Sequence, residues 1–206
     1  AGAATVTGTV SFNNVDISGG VNFGSSSTVN GNLTVLVGGF ADTNSPIYSE
    51  NSTLTFNIGD SYTVDSNSKI WTDGTELGAG VPKDVSISTS TTLVINSNKV
   101  VIGDFTVASG GAATINGTVS FNNVDISGGV NFGSNSTVNG ELKLLAGGFV
   151  DTNKPTYGSS STLTYNTGGD YGAGTEWPTG ESGAPQNVKI VNSSVNFGGS
   201  GSERFV

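Results

Sequence analysis

The sequence contains no histidine, no cysteine and no methionine, and each absence removes a chemistry. Without histidine there is no imidazole base and no Ser-His-Asp triad. Without cysteine there is no thiolate nucleophile, no sulfur-ligated zinc and no disulfide. The fold must therefore hold by backbone pairing and core packing, and cysteine usage leaves the redox compartment open. Basic residues are scarce as well: seven Lys and Arg stand against sixteen Asp and Glu, a net charge of −9. That field repels phosphate backbones and anionic lipid, which argues against nucleic acid as a partner. No apolar run is long enough to cross a bilayer, so membrane insertion is not expected.

Glycine, by contrast, is abundant. The 206 residues include 32 Gly, only 11% are charged, and 34% are hydrophobic, with 10 Phe among them. The chain is too apolar for disorder and too rich in turn formers for helices. Its dominant feature is an internal repeat. Residues 2–57 align with residues 111–166 at an offset of 109, with 42 of 56 positions identical. Further on, Trp71-Thr72-Asp73-Gly74 matches Trp177-Pro178-Thr179-Gly180, and residues 80–87 match residues 183–190 at an offset of 103. Glu203-Arg204-Phe205-Val206 matches Asn98-Lys99-Val100-Val101. The expected organisation is one continuous segment of two tandem repeats, about 1–109 and 110–206, cut from a longer array.

Within each repeat, short apolar alternations are separated by Gly, Asn and Ser: Val10-x-Phe12, Val15-x-Ile17, Val21-x-Phe23, Leu33-x-Val35, Leu54-x-Phe56. Period-two runs bounded by turn formers read as strands. A 109-residue repeat is also the size of one immunoglobulin-like sandwich, so two tandem sandwiches are the alternative. Apolar positions recurring at 18 or 19 residues favour a solenoid: Val15 to Leu33, Val35 to Leu54, Ile87 to Phe105, Val101 to Val119, Ile126 to Leu144. The expected fold is thus all-β, a right-handed parallel β-helix (β-solenoid) of about eleven coils, six to each repeat.

Candidate functional residues come in pairs, because nearly everything polar is built twice. Trp71, Trp177, Tyr48 and Tyr157 lie outside the clear alternations; such rings stack on sugars or pack over the corners of a solenoid. Asp42-Thr43-Asn44 and Asp151-Thr152-Asn153 cluster oxygen atoms in loops and could hold Ca²⁺, the one cofactor the sequence suggests; Asx-turns are the alternative for Asp42, Asn44, Asp151 and Asn153. Asp16 and Asp125 are expected to point outward. Thr53, Thr55, Thr89, Thr91, Thr162 and Thr164 could form a hydroxyl ladder of the ice-binding kind, interrupted here by Asn, Ser and Lys. A polysaccharide-degrading enzyme would need converging carboxylates or a base with a cation. The lysines differ between the copies, and a catalytic site is normally built once, so no enzyme and no catalytic residue is expected.

The repeat built from TVxF and TLTYN strands, TEWPTG, GAPQNVKI and GDFTVASGGAATI resembles the β-solenoid repeats of very large secreted surface proteins of the Bacteroidota, which are typically exported by the type 9 secretion system and include adhesins. The resemblance covers nearly the whole chain. It implies an extracellular or cell-surface location and a structural or adhesive role, and it transfers no catalytic residue. The partners it implies are neighbouring repeats of the same chain and, beyond them, surface polysaccharide or other cells.

Overall fold

A computed structural model describes residues 2–179, 183–198 and 204. Within these the chain forms short strands and no helix, and every strand pair is parallel. Antiparallel sandwiches are thereby excluded. The chain winds as a β-solenoid with three faces.

The period-two pattern explains the strands directly. Asn32–Val35, Thr53–Phe56, Asp84–Ile87, Thr92–Ile95 and Ala112–Ile115 each alternate half-buried and buried residues, the apolar side chains pointing inward. On the first face nine strands stack in an unbroken ladder. One inward column runs Val15, Leu33, Leu54, Val85, Phe105, Val124, Leu142, Leu163 and Val188. The second face carries the central ladder Ser61–Val64, Thr92–Ile95, Ala112–Ile115, Gly129–Asn131 and Phe149–Val150. The third face is made of two-residue strands such as Thr28–Val29 and Ile47–Tyr48. Lys99–Val107 and Val119–Ile126 turn the corner from the third face into the first, with a register shift between Val101 and Asp104.

The ladder corrects the size of the coil. Val15 recurs as Val124, its counterpart one repeat later, after five rungs and not six. The rungs advance unevenly, by 18 residues from Val15 to Leu33, 21 from Leu33 to Leu54 and 31 from Leu54 to Val85. The 31-residue coil carries a loop, residues 65–83, that takes the place of a third-face strand.

Corners have a fixed chemistry. Three residues beyond the last inward residue of a first-face strand, the backbone is left-handed at Gly38, Gly59, Ser90, Gly110, Gly147 and Gly168, which is why glycine dominates there. Gly39 and Gly148 follow two of these turns for a different reason. A Cβ on either would collide with the carbonyl oxygen of Ile17 or Ile126 in the rung before.

Candidate functional site

The four repeated aromatics are inside the solenoid. Trp71 is 0% exposed, and Tyr48, Tyr157 and Trp177 are also buried. Each tyrosine fastens the long loop of its repeat: the Tyr48 hydroxyl donates to the carbonyl of Ile70 at 2.8 Å, and the Tyr157 hydroxyl to that of Glu176 at 2.5 Å. Burial raises both phenols well above their ordinary value; the Tyr62 phenol adds to this at Tyr48, and the Glu176 carboxylate adds to it at Tyr157. No ring of the four offers a flat face to a sugar, because all four are buried, and the loop that stands in for a third-face strand uses Trp and Tyr as its hydrophobic anchor. The packing alternative is the one the geometry adopts.

Two substitutions between the repeats compensate one another at this anchor. Phe56 and Ile70 of the first copy become Tyr165 and Glu176 in the second. Phe56 and Ile70 are a buried apolar pair. Tyr165 and Glu176 are equally buried, but the tyrosine hydroxyl donates to Glu176 Oε1 at 2.9 Å and the Gly174 amide donates to the same oxygen at 2.8 Å. The ring against position 56 or 165 is the same tyrosine in each copy: Phe56 lies 5.1 Å from Tyr62 and Tyr165 lies 5.4 Å from Tyr171, centroid to centroid.

A cation from further along the chain closes each loop. Lys99, its side chain buried, donates to Asp73 and to the carbonyl of Asp65 at 3.1 Å. Burial lowers its pKa, and Asp73 offsets part of that. Arg204 donates to the carbonyls of Trp177 and Ala173. Of the closing match at residues 203–206, Arg204 alone lies within the described residues.

At the Asp-Thr-Asn loops the asparagines are occupied by the fold. Asn44 donates its amide to Asn22 Oδ1 at 2.9 Å, and Asn153 donates to Asn131 Oδ1 at 3.0 Å. Asn22 and Asn131 in turn accept the backbone N–H of Gly24 and Gly133, an Asx-turn that recurs at Asn196 and Gly198. The triplet Asn-Phe-Gly, present three times, is the sequence signal for this corner. Asp42 and Asp151 are exposed beside it. Among the described residues no group of three or more acidic side chains converges on a point where a metal ion would sit.

The outward column of the first face reads Asp16, Thr34, Thr55, Ser86, Thr106, Asp125, Lys143, Thr164 and Lys189. Asp16 and Asp125 point outward as expected. Lys143 lies 3.2 Å from both Asp125 and Glu141. Its partial burial lowers its pKa, but the two carboxylates outweigh that and hold it above the ordinary value. Thr55 donates to Asn32 Oδ1 at 2.7 Å and Thr164 to Glu141 Oε1 at 2.5 Å, so these hydroxyls bond to their own ladder. Thr91 is buried, where its oxygen accepts the amides of Ile58 and Gly59. The threonines do not share one flat array.

One feature absent from the sequence reading is a polar groove at the corner between the second and third faces, present in both repeats. In the first it measures about 330 Å³ and includes Gly24, Ser25, Thr43, Asn44, Ser45 and Lys69. In the second it measures about 540 Å³ and includes the counterparts Gly133, Ser134, Thr152, Asn153, Lys154 and Thr175. The lysine has exchanged places: Lys69 matches Thr175, and Lys154 matches Ser45. Each groove keeps one ammonium by a different route.

These features define a repetitive parallel β-solenoid whose duplicated polar residues serve mainly to hold loops and corners. No family model, curated protein or solved structure matches the chain significantly.

Proposed function

We propose that the chain is a structural and adhesive repeat segment of a secreted cell-surface protein, working as a rigid stalk or spacer. The observation that carries this reading is the junction between the repeats. There Lys99–Val107 pairs with Val119–Ile126 along nearly the whole length of both strands, so one repeat passes into the next without a hinge. Nearest-neighbour stacking makes a body whose length scales with copy number. The resemblance to Bacteroidota surface repeats supports an extracellular setting and export by type 9 secretion. Lengthening the chain with further copies of residues 2–110 tests the spacer: small-angle scattering should report about 24 Å more length per copy, five rungs at about 4.8 Å each. Sublinear growth with broad distance distributions would reject a rigid spacer.

The twin corner grooves favour a second reading, a glycan-binding module. Their hydroxyl, amide and ammonium groups suit a polyhydroxylated ligand, and their five-rung separation on one edge suits a polymer with repeated epitopes. Retention of the chain on a panel of insoluble polysaccharides, with Lys69→Ala/Lys154→Ala as control and product release assayed in the same wells, tests it. Equal retention of the two proteins removes the grooves from any binding, and product release would point to an enzyme.

A further inference from the structure

The two repeats give one local sequence in two environments, and the difference identifies what fits the N-terminal rung. Val119 is 0% exposed and its counterpart Val10 is 37% exposed; Phe121, Val124 and Val130 are buried, whereas Phe12, Val15 and Val21 are only partly so. In the second repeat Val119, Phe121 and Val124 lie beneath Lys99–Val107, and Val130 lies beneath Ala113. Phe105 sits opposite Val124 and Val107 opposite Ile126, and the Phe105 and Phe121 rings lie 4.9 Å apart. Phe121 meets Phe132 edge-on at 5.7 Å and 89°. Phe12 and Phe23 repeat that arrangement at 5.9 Å and 88°. At the N-terminal rung, however, the ring of Phe12 borders an apolar hollow of about 460 Å³, lined also by Ala4, Val15, Ile17, Val21 and Phe23. The second face is already covered there, since Ala4 pairs with Val21 as Ala113 pairs with Val130.

We infer that this hollow is an acceptor site for one parallel β-strand with the pattern of Asp104–Val107: phenylalanine over Val15, an outward threonine beside Asp16, and valine over Ile17. The register follows from the chain's own internal junction, of which the acceptor is one half already folded. The backbone supplies its share: the Ser127 N–H donates to Val107 O at 2.8 Å, and Ser18 holds the same position on the N-terminal rung. The inference concerns this rung alone and stands whether or not the chain is a spacer.

The test places a copy of residues 103–110 ahead of Gly2, in place of Ala1, and compares it with the same extension carrying aspartate at the phenylalanine position. The phenylalanine extension is expected to raise the melting temperature by about 5 °C or more and to slow exchange of the Ser18 amide at least tenfold; the aspartate extension is expected to do neither. If the phenylalanine extension leaves both quantities unchanged, or the aspartate extension matches it, the acceptor site is refuted. Linear growth of length with copy number would survive either result, so the two ideas fail separately.

Discussion

Replacing Tyr165 by Phe and Glu176 by Ile turns the loop anchor of the second repeat into that of the first, and the two changes should not add. Tyr165→Phe alone removes one of the two hydrogen bonds on Glu176 Oε1 inside a buried site. Hydrogen bonds to charged groups contribute about 1.5–3 kcal/mol, so a loss of that size is expected. Glu176→Ile alone leaves the buried Tyr165 hydroxyl without its acceptor, a penalty of about 1–3 kcal/mol. The double variant strands neither group: Phe56 and Ile70 are both buried in the apolar core of the first repeat, and the exposed Gly174 amide turns to water. It should fall within about 1 kcal/mol of the parent, a coupling energy of roughly 2–4 kcal/mol. Urea unfolding followed by tryptophan fluorescence and far-ultraviolet dichroism measures this, provided the two probes coincide. A double variant as unstable as the summed single losses would refute the claim that the repeats hold two interchangeable solutions.

Three further outcomes follow from the geometry. Burial raises the phenols of all five tyrosines above 10, so the stability they support is complete below pH 10 and is lost as pH climbs toward their folded values. For the deeply buried Tyr48, Tyr157 and Tyr165 the loss is about 4 kcal/mol per pH unit. The lowered pKa of Lys99 acts oppositely below 10.5, because the unfolded chain holds a proton that the folded one has released, but it is a single group. Tyrosinate absorbance should therefore stay low through pH 10 and rise cooperatively with unfolding; a smooth non-cooperative titration near 10 would contradict this. Asp73→Asn leaves the Lys99 ammonium with neutral acceptors and should cost on the order of 1–2 kcal/mol, limited by the solvation of Asp73, with faster proteolysis within residues 65–83; unchanged cleavage would remove the lysine as the loop's clasp. Gly148→Ala forces a methyl against the Ile126 carbonyl and should cost about 3 kcal/mol or more, visible as a lower urea midpoint; an unchanged midpoint would show that the corner can shift.

The strand character and the two-fold repeat were legible because alternation and identity are local properties of the sequence. The register was harder. Val15 to Leu33 and Ile126 to Leu144 are true partners, whereas Val35 pairs with Phe56, Phe105 with Val85, and Val119 with Lys99. Each of those three slips is two residues, the one error that period-two alternation cannot detect, since it keeps every side chain on its correct side. The corners absorb the difference, and their length is set by carbonyl contacts at glycines such as Gly39 and Gly148 that no apolar pattern reports. The aromatics left stacking and packing both open for a related reason: Trp71 and Trp177 stand outside any strand alternation, yet the loop that carries them is itself part of the wall.

The direction of the backbone hydrogen bonds has a mechanical consequence. Because they join each coil to the next, they run along the stack, and a pull applied to the two ends loads one rung at a time in peeling rather than many in shear. A coil of about 20 residues releases up to roughly 70 Å of chain when it detaches, while the coil from Leu54 to Val85, with its 31 residues, releases about half as much again. Under tension the molecule should lengthen as a staircase of near-equal steps, with one long tread in each repeat. The body proposed as a stiff spacer would thus act as an extensible tether when hauled from its ends.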